Sequence, residues 1–234
     1  TLLEDGLLPP SLVLGHSGYL RAACGTRPPG GVFLHSYALD LARSPDGHWW
    51  VLGDRAQAPS GSGYALENRL LIARLYPDTF RALGVARLSG HFGLLRDSLL
   101  HFAPPGDGPP LAVVLTPGPY NETYFEHSFL ARYLGFPLVE GHDLLVRDGR
   151  VWLKTVEGLQ RVHTILRRQD DTFCDPLELR ADSALGVAGL TDCARRGTVF
   201  IANALGAGVL DSGALLGFLP RLAEQLLHEP LLLP

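Results

Sequence analysis

Residues 111–140, LAVVLTPGPYNETYFEHSFLARYLGFPLVE, constrain the fold more than any other stretch. Leu111–Thr116 is an unbroken apolar run, the pattern of a strand buried on both faces. Pro117-Gly118-Pro119 ends it, Asn121 offers a helix N-cap, residues 122–134 carry helical periodicity, and Gly135 marks the helix end. Pro137–Glu140 reads as a second short strand. A strand, a helix and a strand in so short a span require a crossover connection, which implies a parallel, doubly wound α/β sheet. Further on, Leu144–Val146 and Val151–Lys154 flank Asp148-Gly149 as a hairpin. Val162–Leu166 and Thr198–Ala202 read as apolar strands, and residues 176–185, 190–195 and 214–227 as helices.

The first third of the chain reads as α+β. Val32–Leu41 and His48–Gly53 are expected as two strands joined by the turn Ser44-Pro45-Asp46-Gly47. Residues 56–63, AQAPSGSG, are a loop; Glu67–Leu75 is helical until Pro77, and residues 80–102 are helical in their second half. Residues 104–110, within APPGDGPP, read as a linker between a domain at 1–103 and another at 111–234.

A net charge of −4 argues against a nucleic-acid or anionic-membrane surface, and no apolar run approaches the ~20 residues of a membrane span. Three cysteines (Cys24, Cys174, Cys193) are too few for a disulfide framework. They are expected to be small buried hydrophobes in a reduced, cytoplasmic chain. The chain has no methionine, starts at Thr1 and stops at Pro234, so the expectation is a piece of a longer protein. Its only lysine is Lys154.

The chemistry concentrates in residues 49–69, WWVLGDRAQAPSGSGYALENR. Asp54 and Arg55 end a strand, and Asp40 lies on the partner strand, so the two carboxylates are expected to face one point. Gln57 adds an amide oxygen, completing a hard-oxygen set suited to Mg²⁺. A solvated turn or an arginine partner is the open alternative for these acids. Ser60, Gly61, Ser62 and Gly63 offer backbone N–H groups for an anion. Asn121 and Glu122, after a strand and before a helix, are candidates to dock substrate; an ordinary strand–helix turn is the alternative. Arg167, Arg168, Asp170 and Asp171 either hold a substrate's carboxylate and amine or form an internal salt-bridge network. Asn203–Gly208 is a turn or a ligand loop. No Ser–His–Asp or Cys–His spacing stands out, and the nine histidines show no HExxH spacing.

Three long blocks carry a resemblance: GDRAQAPSGSGYALENR, then TPGPYNETYFEHSFLARYLGFPLVEGHDLLVRDGRVWLKT, then ILRRQDDTFCDPLELR. Together they resemble the circularly permuted ATP-grasp family, type 2, over nearly the whole chain from about Leu8. The nucleotide half of that wider family is similar to glutathionylspermidine synthetases. The resemblance implies an incomplete permuted ATP-grasp core plus a Rossmann-like pre-ATP-grasp domain. It implies ATP-dependent joining of a carboxylate to an amine through an acyl-phosphate, with Mg²⁺ and ATP, on an amino acid or short peptide. Asp40 and Asp54 are then the acidic metal ligands, with Asp54 where relatives often carry Glu. Gln57 stands where relatives place a ligating Asn, and Arg55 is a phosphate-facing arginine. Glu67, Asn68 and Arg69 belong to the same motif; with Ser60–Gly63, Asn68 and Arg69 are expected near the nucleotide phosphates. ATP-grasp enzymes hold ATP with lysines on central strands, whereas Lys154 falls in the substrate-side half. The expected consequence is a fragment inactive alone. A non-catalytic scaffold that keeps the fold is the alternative; a Rossmann-like nucleotide binder of another kind lacks a GxGxxG after any predicted strand.

Overall fold

The computed structural model describes residues 1–106 and 108–233. Asp107 of the expected linker and Pro234 lie outside the described residues. The chain runs α1 (Pro10–Leu14), β1 (Ala38–Arg43), β2 (Trp49–Arg55), α2 (Ser62–Leu75), α3 (Pro77–Ala82), α4 (Ser89–His101), β3 (Ala112–Leu115), α5 (Tyr124–Leu134), β4 (Leu138–Val139), β5 (Leu144–Arg147), β6 (Arg150–Thr155), β7 (Gly158–Val162), β8 (Thr164–Arg167), α6 (Leu190–Arg195), β9 (Phe200–Ala202) and α7 (Leu219–Leu227).

The apolar runs do form the central sheet. β4, β3, β8 and β9 lie side by side in that order, all parallel. Alternation sorts their side chains between two faces. Val113, Leu115, Ile165 and Ile201 face one core, which is closed by β5, β6 and α6 through Leu144, Val151, Leu190 and Cys193. Ala112, Val114, Leu166, Phe200 and Ala202 face a second core, closed by α2, α4 and α5 through Leu66, Phe92, Leu99, Leu130 and Leu134. One face of the sheet thus carries helices and the other an antiparallel meander, β5-β6-β7, with α6. Because β3 leads first to β4 on one side and later to β8 on the other, the strand order reverses between β3 and β8. Open α/β sheets bind ligands at the carboxyl end of such a switch point.

Several expectations change. The second core joins residues on both sides of segment 104–110, and Thr164 Oγ donates to the Leu99 carbonyl at 3.0 Å. That segment therefore links parts that share one core rather than two separate cores. Residues 32–37 are not strand; β1 begins at Ala38. Residues 176–185 form turns instead of a helix, with buried Asp175 taking up the backbone N–H groups of Leu177, Gly189 and Thr191. The last helix starts at Leu219, after a 3₁₀ stretch at Gly213–Phe218. Cys174 and Cys193 are buried and free as expected, whereas Cys24 is exposed. Among the described residues no helix is long and apolar enough to cross a membrane.

Candidate functional site at the carboxyl edge of the parallel sheet

The β1–β2 hairpin hangs from the end of this sheet by hydrogen bonds from its two feet. Asn203, just past β9, accepts the N–H groups of His35 and Ser36 on its Oδ1 at 2.7 and 3.0 Å. Its Nδ2 donates to the Ser36 carbonyl at 2.7 Å and to the Ala56 carbonyl. Asp211 accepts the Ala56 N–H at 2.6 Å. One buried amide thus clamps the chain as it enters the hairpin and as it leaves. The sequence marks Asn203–Gly208 as a turn or a ligand loop and carries no local sign of this clamp or of Asp211.

Within the hairpin the two carboxylates part company. The turn sets a register in which Arg43 opposes Trp49 and Leu41 opposes Val51. Continued without interruption, it would place Asp40 opposite Leu52 and Asp54 opposite Ala38, with both acids on one face. A bulge between Asp40 and Leu41 instead pairs Asp40 with Gly53 and Asp54 with Leu39. Directly opposed residues share a face and neighbours alternate, so Asp40 and Asp54 point to opposite faces. The expected convergence is corrected by that one extra residue. Asp40 instead pairs with Arg55, whose Nε and Nη2 lie 2.9 and 2.7 Å from Asp40 Oδ2. Both side chains are about half exposed, so the pair adds little stability. Asp54 accepts a hydrogen bond from Tyr37. Burial and this carboxylate push the Tyr37 hydroxyl up to about 12. Gln57 is not a spare oxygen donor either: its Oε1 accepts the Asp171 N–H at 2.6 Å.

The loop Ser60–Gly63 is an anion cradle, but its anion belongs to the protein. Glu126 on α5 is fully buried, and its carboxylate accepts the Gly61 N–H at 2.8 and 2.9 Å, the Gly63 N–H at 2.9 Å and the Ser62 hydroxyl at 3.3 Å. These donors open α2, whose positive dipole end favours a carboxylate. Gly63 is required here: a Cβ would sit 2.8 Å from Glu126 Cγ. Asn68 and Arg69 stand further along α2, away from this loop. Arg69 donates to the Ala86 carbonyl.

Beyond β8 the four charged candidates separate. Arg167 is buried and spends its fork on three backbone carbonyls: Asn203 at 3.3 Å, Gln169 at 2.7 Å and Gln57 at 2.8 Å. Arg168 is buried too and donates to the Pro59 carbonyl at 2.8 Å, while its Nε has no acceptor. Burial lowers its pKa, opposed by Glu126 and reinforced by Arg167. Asp171 is buried and accepts the Gly206 N–H at 2.9 Å; Asp170 is exposed. Among the described residues neither arginine forms an ion pair with either aspartate. Arg167 and Asp171 therefore brace the loops that carry Gln57 and Gly206, which is neither the expected substrate clamp nor its alternative, a salt-bridge network.

Across the switch point, Thr116 follows β3. Thr123 Oγ donates to Asn121 Oδ1 at 2.6 Å and so must accept from His127 Nε2–H at 2.9 Å. His127 Nδ1 is then an acceptor for the Thr116 hydroxyl at 2.9 Å, and Thr116 Oγ accepts the Gly118 N–H at 3.2 Å. Asn121 thus shapes the β3–α5 loop instead of capping a helix at residue 122; α5 starts at Tyr124, and Glu122 is exposed. Burial, helped by Arg168, pushes the neutral His127 down to about 4. The unfolded chain binds this proton near pH 6.5, so His127 favours folding above that pH, and its contribution disappears as pH falls towards 4. A shift of this size corresponds to about 3 kcal/mol. Denaturant midpoints measured from pH 7 to pH 4 should fall steeply in the wild type and more shallowly in His127→Asn. Equal slopes would contradict the buried neutral imidazole.

A family model described as circularly permuted ATP-grasp type 2 matches residues 1–234. An uncharacterized protein of Mycobacterium tuberculosis is 47% identical over 233 residues, covering 100% of this chain and 26% of its own length. One of Synechocystis is 44% identical over 232 residues, covering 99% of this chain and 48% of its own. One of Mycobacterium leprae is 44% identical over 232 residues, covering 99% and 41%. The chain thus spans between about a quarter and a half of these relatives.

Proposed function

Since the chain belongs to the circularly permuted ATP-grasp type 2 family, we propose that it serves an ATP-dependent ligase that joins a carboxylate to an amine. The match along the full chain carries this reading. In such a reaction ATP passes its γ-phosphoryl group to a carboxylate oxygen and ADP leaves. The amine nitrogen then attacks the acyl carbon, phosphate departs, and the nitrogen gives up a proton. Positioning and charge neutralisation dominate this chemistry, so it needs no nucleophile from the protein.

The residues present do not fit a Mg²⁺ shared between Asp40 and Asp54, which face opposite ways, with Gln57 committed elsewhere. Among the described residues no group of three His, Cys, Asp or Glu side chains is placed to hold a metal ion. Lys154, on the antiparallel meander, donates to the His142 carbonyl at 2.7 Å. What this chain offers is the substrate side. An amino acid or short peptide is the substrate class, with its carboxylate docking at the carboxyl end of the switch point. Nucleotide and metal then need donors besides those that the described residues assemble.

A scaffold without catalysis is the second reading, favoured by the Asp40–Arg55 pair and the diverging acids. The two separate in one assay. The full-length Synechocystis relative is incubated with Mg²⁺-ATP, hydroxylamine and a panel of amino acids and dipeptides. The ligase reading expects ADP and trapped hydroxamate in equal amounts with at least one carboxylate. ADP and hydroxamate at background throughout would leave the scaffold reading standing. The 234-residue chain alone is expected to give neither product.

A further inference from the structure

A cavity of about 450 Å³ lies between α2, α3 and the start of α4. Its apolar wall includes Leu70 and Phe80, and four arginines line it: Arg69, Arg74, Arg81 and Arg87. Among the described residues only Arg81 of these four has a carboxylate partner, the exposed Asp78 at 2.6 Å. Arg69 is braced on the Ala86 carbonyl. Arg74 sits in the last turn of α2, where a cation offsets the helix dipole. Neither Arg74 nor Arg87 makes a hydrogen bond or ion pair among the described residues. Four cations against one anion is a local reversal in a chain of net charge −4. Arginine forks match the oxygens of carboxylates and phosphates, and the volume falls within the range of small-molecule sites. The cavity begins at Leu66, roughly 6 Å along α2 from Ser62 at 1.5 Å per residue, and Arg74 stands roughly 18 Å away, so its cationic end is remote from the glycine loop.

We propose that this cavity binds a small organic anion: a carboxylate or phosphate carried on an apolar body that packs against Phe80 and Leu70. The site is independent of the ligase reading. Its test is an amide NMR titration of the chain with phenyl phosphate, benzoate, benzyl alcohol and inorganic phosphate. Saturable shifts within residues 66–89 are expected for phenyl phosphate, benzoate or both, and which binds more tightly identifies the oxyanion. Benzyl alcohol and inorganic phosphate should bind at least tenfold more weakly. The double variant Arg74→Gln/Arg87→Gln should weaken the aromatic anion at least tenfold with its amide spectrum otherwise preserved. Shifts that never saturate, equal binding of benzyl alcohol, or a double variant that binds as tightly as the wild type would each overturn the proposal.

Discussion

Glu126→Ala should destabilise the chain by about 3–5 kcal/mol, the range for breaking a buried charge network by removing one partner. At about 2–4 °C per kcal/mol for a chain of this size, Tm should fall by roughly 10 °C. The variant strips the acceptor from Gly61, Ser62 and Gly63, uncaps α2 and removes the negative charge that favours the charged form of buried Arg168. Glu126→Gln keeps one carbonyl oxygen and should cost less. Gly63→Ala acts on the same contact, since its Cβ would press on Glu126 Cγ. The double variant Gly63→Ala/Glu126→Ala should therefore be less destabilised than the sum of the two single changes. Thermal melts of the four variants test this set. A Glu126→Ala protein that melts with the wild type would mean that the glycine loop is not held by this carboxylate.

Arg167→Met should be comparably damaging, at about 3–5 kcal/mol in all, because several buried acceptors lose their donor at about 1–3 kcal/mol each. The methionine keeps much of the stem volume but leaves three carbonyls, those of Asn203, Gln169 and Gln57, without a donor. Arg167→Lys should not rescue it, because one ammonium cannot reproduce a planar fork aimed at separated acceptors. Amide hydrogen exchange gives the local readout: protection should drop first in residues 35–36, 56–57 and 203–208, the feet of the hairpin and the loop they hang from. Uniform loss across the sheet would point to a general packing defect instead.

Much of this architecture was legible because burial writes itself into sequence locally. Strands β3 and β9 are apolar at every position, β8 carries Ile165 and Leu166 between Thr164 and Arg167, and the β1–β2 turn carries Ser-Pro-Asp-Gly. The site was legible in part only. That the Ser60–Gly63 loop grips an anion followed from its backbone donors, but the anion came from α5, more than sixty residues away. A signal for it was present: Glu126 shares the helical spacing of the buried Leu130 and Leu134, so a charge sits inside an apolar stripe and must find partners there. The carboxylate pair failed for a sharper reason. A strand period of two means that one bulged residue inverts every side chain beyond it, and the one local sign of the bulge is Gly53, a glycine inside β2 paired with Asp40. Arginines at a strand end likewise look the same in sequence whether they await a ligand or brace carbonyls.

Asp40 and Asp54 diverge and Glu126 fills the glycine cradle, so among the described residues the expected shared metal–phosphate site is not assembled. A calorimetric titration of Mg²⁺-ATP into the 234-residue chain, beside the full-length Synechocystis relative, tests it most directly. Saturable, Mg²⁺-dependent binding by the relative and none by the chain up to millimolar nucleotide is the expected result. Tight Mg²⁺-ATP binding by the chain, lost in both Asp40→Asn and Asp54→Asn, would contradict it.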